Sequence, residues 1–228
     1  IRLFTSGSAP LLSQTFNLFS EKTKHTIVER YGMTETGMNT SNPLHGPAKA
    51  GTVGPPLPGT QCQILDDNGN LATPNETGQL LVSGKNVFKG YWRKPEKTQE
   101  DFTDTGCFKT GDLASMDADG YITIVGRSKD LIITGGLNVY PKEIELKIDK
   151  LPGVIESAVI GTPDKDFGEA VTAIIIAEPE ANLSGQMIID QLKDSIANFK
   201  VPKAVHFLEQ LPRNTMGKVQ KNVLRETF

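Results

Sequence analysis

The spacing of apolar positions changes period twice near the start of the chain. Residues 1–4 form a short apolar run closed by the turn Thr5-Ser6-Gly7-Ser8-Ala9-Pro10. Over residues 11–24, Leu11, Leu12, Phe16, Leu18 and Phe19 share one helical face, and Pro10 or Ser13 can start that helix. Residues 26–31 return to a strand pattern and run into the polar segment Gly32-Met33-Thr34-Glu35-Thr36-Gly37. Strand, helix, strand and polar loop are the elements of a parallel βαβ unit, whose ligands bind beyond the carboxyl ends of the strands. The loops at 6–9 and 32–35 would both fall there.

From residue 49 to 125 turn signals recur at short intervals, among them Pro55-Pro56, Pro58-Gly59, Asp67-Asn68-Gly69, Asn75-Glu76-Thr77-Gly78 and Asp117-Ala118-Asp119-Gly120. Short strand-like runs at 61–65, 79–82 and 121–125 lie between them. This pattern predicts a small antiparallel sheet or barrel, placed at about 48–126. Beyond Pro141 the pattern reads helix (142–150), strand (154–161), strand (170–178), helix (184–196) and short strand (205–208). The expected fold class is therefore α/β followed by a separate α+β domain.

Between these regions lies Gly126-Arg127-Ser128-Lys129-Asp130-Leu131-Ile132-Ile133-Thr134-Gly135-Gly136-Leu137-Asn138-Val139-Tyr140-Pro141. From spacing alone it reads either as a linker plus a hairpin or as a hinge carrying a nucleotide-binding arginine.

Composition narrows the function classes. The chain has 228 residues with 37% hydrophobic and 22% charged positions, ordinary for a globular protein. A net charge of -3 argues against a nucleic-acid backbone as partner. The apolar run Ala170-Val171-Thr172-Ala173-Ile174-Ile175-Ile176-Ala177 is too short to span a bilayer. Cys62 and Cys107 show neither metal-ligand spacing nor a disulfide framework, which suits a reducing compartment. Ile1-Arg2-Leu3-Phe4 lacks the layout of a leader and is not an initiator methionine, so the chain is expected to begin inside a longer protein.

Several side chains carry candidate chemistry, each with a plainer alternative. The Thr34-Glu35 pair fits a phosphate and Mg2+ site or a helix N-cap. Asp112, in Thr110-Gly111-Asp112, fits a ribose diol or an ordinary turn. Arg127 fits the same ribose or a surface ion pair. Lys218, beside Gly217 and near Arg213 and Lys221, fits an anionic transition state or a solvated surface. His25, His45 and His206 lack ligand-spaced partners and read as structural or surface residues. Phe88-Lys89-Gly90-Tyr91-Trp92 reads as a packed turn.

Taken in order, Tyr31-Gly32-Met33-Thr34-Glu35, Gly78-Gln79-Leu80-Leu81-Val82-Ser83-Gly84, Phe108-Lys109-Thr110-Gly111-Asp112-Leu113, Gly126-Arg127-Ser128-Lys129-Asp130 and Pro212-Arg213-Asn214-Thr215-Met216-Gly217-Lys218 resemble the motif series of the adenylate-forming superfamily. That group holds acyl-CoA synthetases, peptide-synthetase adenylation domains and luciferases. The motifs span nearly the whole chain, and residues 31–43, 135–145 and 212–225 look closest to malonyl-CoA synthetases.

The resemblance implies three regions. Residues 1–126 would be the C-terminal part of a large AMP-binding domain, 127–130 a hinge, and 131–228 a small mobile domain. The family's Ser/Thr/Gly-rich phosphate loop would lie upstream, so the activity would belong to the intact parent. That activity would be ATP-dependent acid–CoA ligation, through an acyl-adenylate and then a thioester, with malonate as the expected acid and methylmalonate or another short acid next. By the same resemblance Ser8, Ala9, Arg30, Tyr31 and Gly32 surround the adenine, with Tyr31 stacked on it. Met33 would face the acyl group, Thr34 would hold a phosphate, and Glu35 would bind Mg2+. Asp112 and Arg127 would hold the ribose hydroxyls, and Lys218 would bridge the acid and the α-phosphate. Lys129 is the implied pivot, and Gly135 and Gly136 would pass the pantetheine arm of coenzyme A. Expected partners are a small carboxylic acid and CoA, and the expected location is the cytoplasm. A carrier-protein-loading adenylation domain and a non-catalytic nucleotide- or partner-binding fragment are the alternatives. An upstream phosphate loop or a neighbouring carrier domain would decide among them.

Overall fold

The chain divides between Ser128 and Lys129 into two units, Ile1–Ser128 and Lys129–Phe228. The structure, a computed structural model, describes residues 1–228.

The first unit opens with β1 (Phe4–Ser6), α1 (Ser13–Thr23) and β2 (Ile27–Met33). β1 and β2 pair in parallel, with Phe4 opposite Ile27 and Ser6 opposite Glu29, as the alternating pattern predicts. The helix buries Phe16. β3 (Gly37–Ser41) then folds back antiparallel onto β2. Thr34 and Glu35 therefore occupy the turn of a hairpin, and no helix begins there to be capped. Gly32 is required by this return, because a Cβ on it would lie 2.2 Å from the Gly37 carbonyl oxygen.

β4 (Thr60–Leu65), β5 (Gly78–Gly84), β6 (Phe108–Met116) and β7 (Ile122–Arg127) form an antiparallel sheet in the order β4-β5-β6-β7. β4 and β7 do not pair, so the region expected to be a small barrel over 48–126 is an open sheet. Four strands are too few to curl through closure at ordinary twist. The core is supplied by Ile64, Leu80, Val82, Ala114 and Ile122, with Val53, and Tyr31 packs against it. Between β5 and β6 lies α2 (Pro95–Asp101), with proline in its first turn. Ahead of it Phe88 and Tyr91 meet edge to face at 4.8 Å, and Phe88 also meets Phe102 and Phe108. Phe88 and Tyr91 are thus packed as expected, whereas Trp92 is 85% exposed.

The second unit contains β8 (Ile132–Thr134), β9 (Leu137–Val139), α3 (Pro141–Ile148), β10 (Val154–Asp164), β11 (Gly168–Ala177), α4 (Gly185–Lys193), β12 (Ala204–Phe207) and α5 (Lys221–Thr227). β10 and β11 form its long antiparallel pair, and β12 joins β11 in parallel. Successive side chains of a strand point to opposite faces. Val159, Val171, Ala173 and Ile175 accordingly pack with Ile144, Ile148, Ile188 and Leu192 of α3 and α4. Ala158, Ile160, Ile174 and Ile176 pack on the other side with Leu211 and Leu224. A strand covered on both faces explains the unbroken apolar run at 170–177. Ser184 caps α4 through its hydroxyl, which accepts the Met187 N–H at 3.3 Å.

Candidate active site

The candidate nucleotide site of the first unit is built on an irregularity in β6. Lys109 pairs with Leu81 and Leu113 with Gln79, so Thr110, Gly111 and Asp112 lie opposite Leu80 alone. Extra residues in one strand bend it and re-aim its side chains. Asp112, which the sequence places in a turn, is thus a strand residue on a bulge, and it is 4% exposed. The Thr110 hydroxyl fixes the bulge by donating to the Leu80 carbonyl at 2.8 Å and accepting the Asp112 N–H at 3.0 Å.

The Asp112 carboxylate draws in two other sequence-predicted residues. Arg127 Nε lies 2.8 Å from Asp112 Oδ1. The Tyr31 hydroxyl donates to Asp112 Oδ2. Burial, then the charge of Asp112, push the Tyr31 phenol well above its ordinary value, so it stays a donor. A carboxylate accepts only, and here it holds both the Tyr31 hydroxyl and the Arg127 guanidinium. The Met33 sulfur is 3.8 Å from the Tyr31 hydroxyl, which places Met33 beside the same group.

A cleft of about 120 Å³ opens nearby, lined by Thr5, Gly7, Ser8, Arg30, Gly32 and Met38. Ser8 is held in the left-handed region (φ 68°), a strained conformation of the kind found at ligand clamps. Ser8, Arg30 and Gly32 thus meet at one cleft. Ala9 is exposed and does not line it. Thr5 and Met38 line it without having been singled out by any motif.

Thr34 is exposed on the β2–β3 turn, and Glu35 is half-buried. Glu35 Oε1 accepts from the Tyr91 hydroxyl at 3.3 Å, and its Oε2 makes no hydrogen bond to the chain. Burial, with Glu35 next, pushes the Tyr91 phenol up to about 12. No cluster of three or more metal-ligating side chains gathers around Glu35 or elsewhere. Mg2+ is commonly held by one or two carboxylates and completed by substrate phosphates and water. The hard oxygens of Glu35 and Thr34 fit such an ion.

In the second unit, Lys218 is exposed on a loop whose backbone is held independently of its ammonium. Asn214 Oδ1 accepts the N–H groups of Met216 and Lys218, each at 3.0 Å. Arg213 donates to the Gly217 carbonyl at 2.7 Å and pairs with Glu156. Gly135 and Gly136 form the exposed turn between β8 and β9, with φ of 57° and 78°, the double positive φ that a type I′ hairpin turn demands. Lys129 is exposed in a short 3-10 turn, Ser128–Asp130. The stretch after Gly126 is therefore both a short linker and a hairpin. Sequence reasoning passed over Thr110, Asn86 and Tyr91. Tyr91 lies in the segment read as a packed turn, and nothing in its spacing signals a polar contact to Glu35.

No helix is long and apolar enough to cross a membrane. Residues 1–92 match the family model described as AMP-binding enzyme, and residues 143–218 match that described as AMP-binding enzyme C-terminal domain. The malonate–CoA ligase of Arabidopsis thaliana is 42% identical over 100% of this chain, which covers 39% of that protein. The mitochondrial malonate–CoA ligase of Mus musculus is 40% identical over 98% of the chain, covering 42% of that protein. ATP-bound MatB from Rhodopseudomonas palustris superposes with a TM-score of 0.96 at 56% identity, over 99% of this chain and 45% of that one. The chain spans less than half the length of these relatives. On these matches, and on the ordered motifs that build the site, the chain belongs to the AMP-binding enzyme family, the adenylate-forming superfamily.

Proposed function

We propose that the chain is part of an ATP-dependent acid–CoA ligase that makes malonyl-CoA from malonate. The observation that carries this reading is the joining of Tyr31, Asp112 and Arg127 around one buried carboxylate, beside a polar cleft. Malonate is favoured by the names of the relatives at 40–42% identity.

In the first half-reaction a carboxylate oxygen of the acid bonds to the α-phosphorus of ATP, and the bond to pyrophosphate breaks. Both reactants are anionic, so fixed cations and donors lower the barrier. Lys218 supplies a positive charge to the acid and the α-phosphate. Asp112 and Arg127 hold the ribose, the ring of Tyr31 stacks on the adenine, and Ser8, Arg30 and Gly32 enclose the base. Met33 faces the acyl group, Thr34 donates to a phosphate, and Glu35 binds Mg2+. When bound, Mg2+ neutralises phosphate charge.

In the second half-reaction the CoA sulfur bonds to the acyl carbon, the bond to AMP breaks and the thiol proton is released. The Gly135-Gly136 turn lets the thin pantetheine arm approach backbone. Rotation at Lys129 exchanges the two half-reactions, with residues 1–126, 127–130 and 131–228 as large-domain part, hinge and mobile domain. The free thiols Cys62 and Cys107 suit a reducing cytoplasm.

The test is pyrophosphate release by the full-length protein across a panel of mono- and dicarboxylic acids, followed by thioester formation with CoA. Malonate should give the fastest turnover. Release with no acid would overturn the ligase reading, and a clear preference for another acid would overturn malonate.

A further inference from the structure

The Thr34–Thr36 turn is strapped down by one short segment of the same unit. Asn86 Nδ2 donates to the Thr36 carbonyl at 2.8 Å, and the Phe88 N–H donates to the Glu35 carbonyl at 2.8 Å. The Tyr91 hydroxyl completes the strap at Glu35 Oε1, 3.3 Å away. Two of the bonds fix the backbone and the third reaches the side chain. Tyr91 is itself oriented from both ends. Its ring packs edge to face on Phe88, and its N–H donates to the Thr98 hydroxyl of α2 at 2.9 Å. Asp101 also lies near the phenol, and the phenolic O–H donates to Glu35 Oε1.

We infer that Tyr91 is a positioning residue for Glu35: by occupying Oε1 it turns Oε2 outward, ready for the metal that accompanies the nucleotide. This rests on the reading of Glu35 as the Mg2+ ligand. Outer partners that orient metal-binding carboxylates commonly contribute 10- to 100-fold in metal affinity.

The experiment uses the full-length protein and titrates MgCl2 against ATP binding, measured calorimetrically without acid or CoA. Three variants are compared: Tyr91→Phe, Glu35→Gln and the double variant. Tyr91→Phe keeps the ring packed on Phe88 and removes the donor, and its thermal midpoint is recorded to show that the fold is intact. The Mg2+ concentration giving half-maximal ATP binding should rise about 10-fold or more. AMP binding in EDTA should not change. Tyr91→Phe should add little to Glu35→Gln in the double variant, as expected for residues acting through one group. If Glu35→Gln raises the Mg2+ requirement and Tyr91→Phe does not, the positioning role is overturned while the metal assignment stands. If Glu35→Gln leaves the Mg2+ requirement unchanged, the metal assignment fails and takes the role of Tyr91 with it. Additive effects, or weakened AMP binding in EDTA, would show that Tyr91 acts through general packing and overturn the inference.

Discussion

Arg127 Nε lies 2.8 Å from Asp112 Oδ1, and the two residues are also direct partners across β6 and β7. The pair is asymmetric, since the arginine side chain is 44% exposed and the aspartate 6%. In the proposed reading both groups hold the ribose, and the aspartate also fixes the arginine. In the full-length protein, Asp112→Ala should therefore weaken ATP use by about 10- to 100-fold, the range for hydrogen bonds to a charged group. Preference among acids should stay as it was. The check is KM for ATP and for several acids, and an altered acid preference with normal ATP affinity would remove Asp112 from the ribose.

Lys218→Ala should cost the adenylation half-reaction on the order of a hundred- to a thousand-fold. Collapse of the loop should not contribute, because Asn214 and Arg213 hold its backbone. Thioester formation from a preformed acyl-adenylate should survive. Pyrophosphate exchange and acyl transfer, measured separately, decide it: equal loss of both counts against a role confined to the first step.

Lys129 lies between two anchored residues. Arg127 is tied to Asp112 within the first unit, and Asp130 Oδ1 is tied to Arg225 at 2.8 Å within the second. The proposed pivot at Lys129 is thus flanked by side chains held within opposite units. Proline locks φ near -65° and removes the N–H. Lys129→Pro should leave acyl-adenylate formation near normal while thioester production collapses, and Lys129→Ala should do much less. Intact thioester formation in the proline variant would place the pivot elsewhere.

Glu29 is 4% exposed, and its Oε1 accepts the Leu11 N–H at 3.1 Å while its Oε2 has no partner. Burial raises its pKa above the ordinary 4.5. A folded-state value above the unfolded one means that the native state holds the proton more tightly. Stability from this group is therefore fully present below pH 4.5 and declines as pH rises through the raised folded pKa. Glu29→Gln should remove that contribution, at most about 1.4 kcal/mol per pH unit. Denaturation midpoints of both forms between pH 4 and 8 test it, and a difference that does not change with pH refutes it.

The period of the apolar positions was sufficient to place α3, α4, β10 and β11, because each supplies buried residues to one core, and it also placed the parallel β1–β2 pair and α1, although α1 buries Phe16 alone. The helices α2 and α5 escaped notice. Each is only seven residues long, and among them only Leu224 is buried, so neither imposes a legible stripe. The residue types of the site were equally visible, since Tyr31, Glu35, Asp112, Arg127 and Lys218 stand in ordered motifs. Tertiary structure decided what those residues touch. The extra residues in β6 turn Asp112 towards Tyr31 and Arg127, and pairing between distant strands sets that register. The approach of Tyr91 to Glu35 spans 56 positions and depends on aromatic packing ahead of α2. Closure failed for the same kind of reason: turns and alternation specify strands, but whether the first meets the last depends on strand number and twist, which no local pattern records.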